Sequence, residues 1–210
     1  AMKHAPTHVF SLLTRLRQVC CDISLLPWKE GTPSCGTKVE ILIEKLIDLH
    51  SSGSKVIVFS QFTSFLRALK REISKNIPEL RILELTGSTR DRTIPVETFE
   101  NSKGSAVILA SLKAAGLGVT LKSADYVFLM DPWWNPAVEE QAIDRAHRLG
   151  RTKPTFIYRL VAKGTVEERV RMLQIAKKET FQKIIGEMDK PSALADHFSS
   201  LQNLIELSES

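Results

Sequence analysis

The densest chemistry in the chain lies at residues 135–150, Asn-Pro-Ala-Val-Glu-Glu-Gln-Ala-Ile-Asp-Arg-Ala-His-Arg-Leu-Gly. On a helix, Gln141, Arg145 and Arg148 fall at i, i+4 and i+7 and share one face. Val138, Ala142, Ala146 and Leu149 form an apolar stripe roughly 90° away, which would anchor the helix and turn the arginine face outward. Asn135 suits the cap, Pro136 the first turn and Gly150 the end. Glu139 and Glu140 favour the positive helix start. Two fixed guanidinium groups on one helix suit a polyphosphate, because each stays charged and its fork matches phosphate oxygens. A guanidinium supplied from outside a nucleotide site can stabilise charge in phosphoryl transfer, worth on the order of 10³–10⁵ in rate. The same residues also fit a solvated basic face paired with Asp144 and Glu140. Helix geometry by itself favours that plainer arrangement.

Two other segments imitate nucleotide-binding motifs. Residues 31–38, Gly-Thr-Pro-Ser-Cys-Gly-Thr-Lys, nearly spell a P-loop. That loop needs Lys before Ser/Thr, so that the amine reaches the phosphates while the hydroxyl binds magnesium. Here Thr37 precedes Lys38 and no strand leads in. Thr37 reads better as a helix cap, with Thr37-Lys-Val-Glu40 as a capping box. The run from Val127 to Asp131 resembles a Walker B strand, but Pro132 stands where a second acid is expected. Asp131 is therefore read as a strand-end carboxylate. The chain has an ATPase-like architecture and no phosphate-gripping loop of its own.

The elements that position these residues follow from periodicity. Apolar β-rich runs predict strands at residues 55–60, 81–85, 105–110, 125–130 and 155–161. Helical spacing predicts helices over about 7–19, from 37 onward, and over about 63–74, 91–101, 136–149 and 165–185. Strands alternating with helices imply an α/β fold, a parallel sheet covered on both faces, with flanking N-terminal and C-terminal helices. The 210 residues suffice for one such core. Hydrophobic residues at 43% and charged residues at 25% are ordinary for a globular chain. A net charge of +5 is compatible with nucleic acid without demanding it. Three cysteines, two of them adjacent, argue against a disulfide framework. Paired zinc-ligand spacing is missing, so no metal site is expected. Nor is a membrane span, since no apolar run approaches about 18 residues.

A family resemblance decides between the two readings of the arginine helix. Residues 141–150 resemble motif VI of the Swi/Snf family of helicase superfamily two, and Asp131-Pro-Trp-Trp-Asn-Pro136 just before them is similar to the same family. Residues 111–121, Ser-Leu-Lys-Ala-Ala-Gly-Leu-Gly-Val-Thr-Leu, resemble motif V. Val58-Phe-Ser-Gln-Phe-Thr63 resembles motif IV, and Leu85-Thr-Gly-Ser-Thr89 the segment after it. Gly164-Thr-Val-Glu-Glu168 is similar to the family's closing brace helix, and Leu16-Arg-Gln-Val-Cys20 to its leading helix. These matches keep the family's order across residues 12–185. Arg151 departs from a usual Gln, and Ala115 from a frequent Gly.

The resemblance implies a RecA-like C-terminal lobe of a two-lobed, DNA-dependent ATPase, cut from a longer protein and inactive alone. Residues 1–36 would be a leading helix and linker, 37–190 the lobe with its brace, and 191–210 a terminal helix or tail. Arg145 and Arg148 would be arginine fingers for ATP, whose magnesium the N-terminal lobe would hold. Gln141, Asp144, Gly116 and Gly118 would face the nucleotide. Ser60, Gln61, Ser88, Ser111, Lys113 and Thr120 would grip the backbone of double-stranded DNA. These are short donors and a charge at strand ends, where open α/β sheets place ligands, and phosphate contacts suit a sequence-indifferent motor. Trp133 and Trp134 are read as packing or lobe contacts. The product of the work would be translocation or remodelling of DNA-bound protein. A cytoplasmic, nucleoid-associated setting is favoured, and a nuclear one in a eukaryote. Three other classes fit the sequence less well. A pure binding lobe has no use for a finger helix. A Rossmann enzyme would need a G-x-G-x-x-G after the first strand. An unwinding helicase would need a strand-separating element, and nothing in the chain resembles one.

Overall fold

The structure is a computed structural model. It describes residues 5–29, 36–115, 121–146 and 154–187, with side chains except at 5–10, 115, 145, 146 and 178–187. Gly116, Gly118, Thr120, Arg148 and the tail from 191 lie outside the described residues, as does the side chain of Arg145. The chain divides into two compact units, Ala1–Val170 and Arg171–Ser210.

The first unit is built on a parallel sheet. Its strands are β1 (Lys55–Ser60), β2 (Arg81–Leu85), β3 (Ala106–Ser111), β4 (Tyr126–Leu129) and β5 (Phe156–Arg159). They lie in the order β2-β3-β1-β4-β5 and all pair in parallel. β1 and β3 are central, and their Val-, Ile- and Leu-rich runs are buried almost end to end. That is the pattern of strands covered on both faces. Because successive side chains alternate, each strand feeds two cores. Val56, Val58, Val107, Leu109 and Phe128 join one core; Ile57, Phe59, Ile108, Ala110, Val127 and Leu129 join the other.

Helices cover the two faces. Helix α1 (Ala5–Cys21) precedes the sheet, and α2 (Thr37–Ser51) and α3 (Thr63–Asn76) pack on the first core through Leu42, Leu46, Phe65, Leu66, Leu69 and Ile73. Helix α4 (Thr93–Asn101), the single turn α5 (Leu112–Ala115) and α6 (Pro136–Ala146) pack on the second through Phe99, Leu112, Ala114, Ala142 and Ile143. Burying each Leu, Ile or Phe contributes about 1.5–3 kcal/mol. The layers are those of a RecA-like α/β fold: the alternation of strand and helix predicts the covered parallel sheet, and the family resemblance implies its RecA-like form.

One helix start differs from expectation. The capping box at Thr37 does not form: Gly36 is the N-cap, in extended conformation with no side-chain bond. Glycine is needed there because a Cβ would lie 2.8 Å from the carbonyl oxygen of Cys21. Thr37 is thereby moved one position into the helix, and Lys38 turns inward. The cap chemistry appears instead at α7 (Val166–Glu187). Thr165 Oγ1 accepts from the Glu167 N–H at 3.2 Å, and Glu168 accepts from the Gly164 N–H at 2.9 Å. At the far end of α2 the Ser54 N–H reaches back to the Leu49 carbonyl at 2.9 Å while Gly53 adopts a φ of 70°. This is the left-handed stop that glycine allows. In the second unit the described part of α7 carries a bond from Arg171 to Gln174 at 2.8 Å.

Candidate functional site

In an open parallel sheet the loops after the strands form the ligand-binding edge, and the crevice falls where the strand order reverses. Here that reversal flanks β1, whose neighbours are β3 and β4. The carboxyl ends of β2, β3 and β1 bring Ser88, Ser111 with Lys113, and Gln61 to one edge, in that order. Ser88 is exposed and its hydroxyl pairs with Thr86 Oγ1 at 2.8 Å. Lys113 is exposed. Ser111 is buried, and its hydroxyl oxygen accepts from the Ala114 N–H at 3.3 Å, closing the turn α5. Gln61 is half-buried, and its Nε2 is buried without a hydrogen-bond partner among the described residues.

Ser60 does not reach that surface. It is fully buried and its hydroxyl donates to Asp131. The Gln61 N–H also approaches both carboxylate oxygens of Asp131, at 3.3 Å. Asp131 is the strand-end carboxylate expected from the sequence, and it is the centre of a buried charge cluster. Its pKa is raised from 3.8 to about 6. Loss of water is the main cause, opposed by the bonds from Ser60 and Gln61 and by the charges of Arg17 and Lys38. Arg17, from α1, lies 4.0 Å from Asp131 and donates to the carbonyl of Pro132. Its guanidinium faces the rings of Trp134 at 5.3 Å and Phe62 at 5.8 Å. Burial lowers the pKa of Arg17, and Asp131 opposes that.

A second buried pair adjoins the first. Lys38 Nζ donates to the Met130 carbonyl at 2.7 Å and to Glu167 at 2.5 Å. The same Glu167 oxygen accepts from the Ala162 N–H at 2.9 Å. Sequence reasoning missed both pairs. Arg17 lies within the segment similar to the family's leading helix, but its partner is 115 residues away, and Lys38 is 129 residues from Glu167.

Helix α6 rises from this corner. Asn135 Oδ1 accepts from the Ala137 N–H at 3.1 Å, the cap expected of it. Glu139 is buried; it accepts from Arg159 of β5 at 2.7 Å and approaches the Trp133 N–H at 3.5 Å. It thus ties the helix to strand and loop, beyond the dipole role expected of it. Ala142 and Ile143 enter the core, whereas Glu140, Gln141 and Asp144 are exposed. The buried face is therefore centred on Glu139, Ala142 and Ile143, with Val138 only partly covered. Trp133 packs against the core, and Trp134 remains 42% exposed beside Arg17. Such an edge can hold phosphate groups against an outward helix face. Among the described residues no group of three or more His, Cys, Asp or Glu could hold a metal ion.

Comparison with known proteins is consistent across sequence and structure. Residues 37–150 match the helicase conserved C-terminal domain family. The DNA repair protein RAD5A of Arabidopsis thaliana is 42% identical over 165 residues, which is 79% of this chain and 16% of that protein. An uncharacterized ATP-dependent helicase of Mycoplasma pneumoniae is 37% identical over 180 residues, 86% of this chain and 17% of that protein. The chain thus spans about a sixth of the length of these curated relatives. The Sulfolobus solfataricus SWI2/SNF2 ATPase core in complex with dsDNA superposes with a TM-score of 0.68 at 28% identity, covering 90% of this chain and 40% of that one. The C-terminal part of the Fun30 ATPase domain superposes with a TM-score of 0.62 at 30% identity, over 79% of this chain and 53% of that one.

Proposed function

This chain belongs to the family of helicase conserved C-terminal domains, of the Swi/Snf type, and on that premise we propose that it serves as the second motor lobe of an ATP-driven translocase on double-stranded DNA. The observation that carries the proposal is the mounting of α6. Its root is fastened by Asn135, Glu139, Ala142 and Ile143, while Gln141 and Asp144 stand exposed on its outer face. A rigid base with an outward polar face is what positioned catalysis requires.

In this reading Arg145 and Arg148 are the arginine fingers. They neutralise charge developing on the phosphates of ATP gripped by a second RecA-like lobe, which also holds the magnesium. Gln141 and Asp144 share the helix with them. The loop containing Gly116 and Gly118 approaches the nucleotide. Gln61, Ser88, Lys113 and Thr120 grip the DNA backbone without reading bases, while the buried Ser111 closes the turn that carries Lys113 and Ser60 supports them from behind through Asp131. Closure and reopening of the cleft alternate the grips of the two lobes and move the motor. The cargo is DNA-bound protein, and the setting is the nucleoid in a prokaryote or the nucleus in a eukaryote. By itself the chain turns over no ATP.

ATP turnover, with and without duplex DNA, tests this for the chain alone and for the full-length protein that carries it. A silent chain, together with DNA-stimulated turnover in the full-length protein that Arg148→Ala abolishes, is the expected result. Turnover by the isolated chain, or indifference to both DNA and Arg148, would leave a plain binding lobe in its place.

A further inference from the structure

We propose that Arg17 is a positioning residue, one that locks helix α1 to the loop at the root of α6 and so sets the pose of the arginine helix. The inference rests on the motor-lobe reading, because a pose matters only if α6 serves a nucleotide.

Three contacts converge on one guanidinium. Nη2 donates to the carbonyl of Pro132 and lies 4.0 Å from Asp131, and the cationic plane lies against Trp134. Asp131, Pro132 and Trp134 are all in the short segment between β4 and the Asn135 cap of α6. A shift of Arg17 therefore moves the start of the helix without passing through the sheet. The guanidinium also lies 5.8 Å from the ring of Phe62, which follows Gln61, so the same side chain meets the segment just after β1.

This arrangement is expensive for one whose purpose is stability alone. Arg17 is 3% exposed, and its Nε is buried with no hydrogen-bond partner among the described residues. A buried ion pair with an orphaned donor adds little stability compared with an apolar replacement of similar size. What it adds is geometry. The planar fork fixes direction at the carbonyl and at the carboxylate together, which a lysine or an apolar side chain cannot do. Helix α1 precedes the lobe in the chain, so its displacement would reach the root of α6 through Arg17.

The test compares Arg17→Met, Arg17→Lys and the pair Arg17→Met with Asp131→Asn, each in the full-length protein. DNA-stimulated ATP turnover and the melting midpoint are read for each, with Arg148→Ala alongside. Arg17→Met is expected to lower kcat by about ten- to a hundredfold, the scale of a misplaced catalytic group, and to leave KM for ATP within about twofold. Asp131→Asn in the pair removes the stranded charge, so the melting midpoint recovers while kcat does not. Arg17→Lys keeps a charge beside Asp131 and the folded state, and shows the same loss of kcat. Should kcat recover together with the melting midpoint, or should Arg17→Lys turn over like the wild type, the residue is only structural and the proposal is wrong. An Arg148→Ala protein with undiminished turnover would instead sink the motor-lobe reading beneath it.

Discussion

The two halves of the ligand-binding edge are built in opposite ways. At the ends of β2 and β3 the polar groups bond to near neighbours: Ser88 to Thr86, Ser111 to the Ala114 N–H. At the corner between β4 and α6 they bond to residues far away in sequence, in pairs that exclude water, Arg17 with Asp131 and Lys38 with Glu167, while the half-exposed Arg159 holds the buried Glu139. A locally bonded hydroxyl can rotate to meet a new partner at little cost. A buried pair holds its geometry, because breaking it strands a charge. The edge thus joins an adaptable surface, suited to a backbone that slides past, to a rigid mount, suited to a group that must arrive in one place.

That contrast can be broken from either side. The largest effect is expected at the mounted helix. Arg148→Ala in the full-length protein should lower DNA-stimulated ATP turnover by roughly 10³-fold or more, measured in steady state, while DNA affinity changes little. Next comes the mount. Lys38→Met leaves Glu167 as an unpaired buried charge and should cost about 3–5 kcal/mol, read from the denaturation midpoint, with partial recovery when Glu167→Gln is added. A pH effect follows in size. Asp131 in the folded chain holds its proton up to about pH 6, against an ordinary value of 3.8, so the folded state binds more protons across that interval. Stability must then fall as pH rises from about 4 to about 6, by on the order of 3 kcal/mol from this group. Asp131→Asn should flatten that slope; an unchanged slope would mean that the carboxyl is not held this way. The smallest change belongs to the adaptable half. Lys113→Ala should weaken DNA binding severalfold for all sequences alike and reduce the salt slope by about one. A sequence-selective loss would contradict a backbone grip.

The strands were readable because burial on both faces leaves no alternative to an apolar run. β1 and β2 have the bounds that their residues predict, and β3 is displaced by one residue. β4 and β5 are shorter than the apolar runs suggest, ending at Leu129 and Arg159. Helix α6 begins at Pro136, as the Asn135 cap requires. The charge cluster was not readable, because nothing local marks a lysine or an arginine as buried when its partner is 115 or 129 residues away. Thr37 and Thr165 make the same point. Both open a Thr-x-x-Glu pattern before a helix, but only Thr165 accepts from an N–H of its first turn. At Thr37 the pull of Lys38 toward Glu167 and the tight passage at Gly36 outweigh local preference. Ser60 reads as a surface donor for a related reason: a hydroxyl at a strand end looks the same whether it meets solvent or a buried carboxylate.

The 115-residue gap between Arg17 and the Pro132 carbonyl also has a consequence in time. At about 5–20 residues per second, a chain leaving the ribosome presents Arg17 on the order of ten seconds before its acceptor. Closing so long a loop costs about 2 kcal/mol more than closing one of about 15 residues. The fastening of α1 therefore belongs to a late stage of assembly, ahead only of the still longer closure of Lys38 on Glu167. Until Pro132 has emerged, Arg17 is without the carbonyl acceptor it holds in the folded chain.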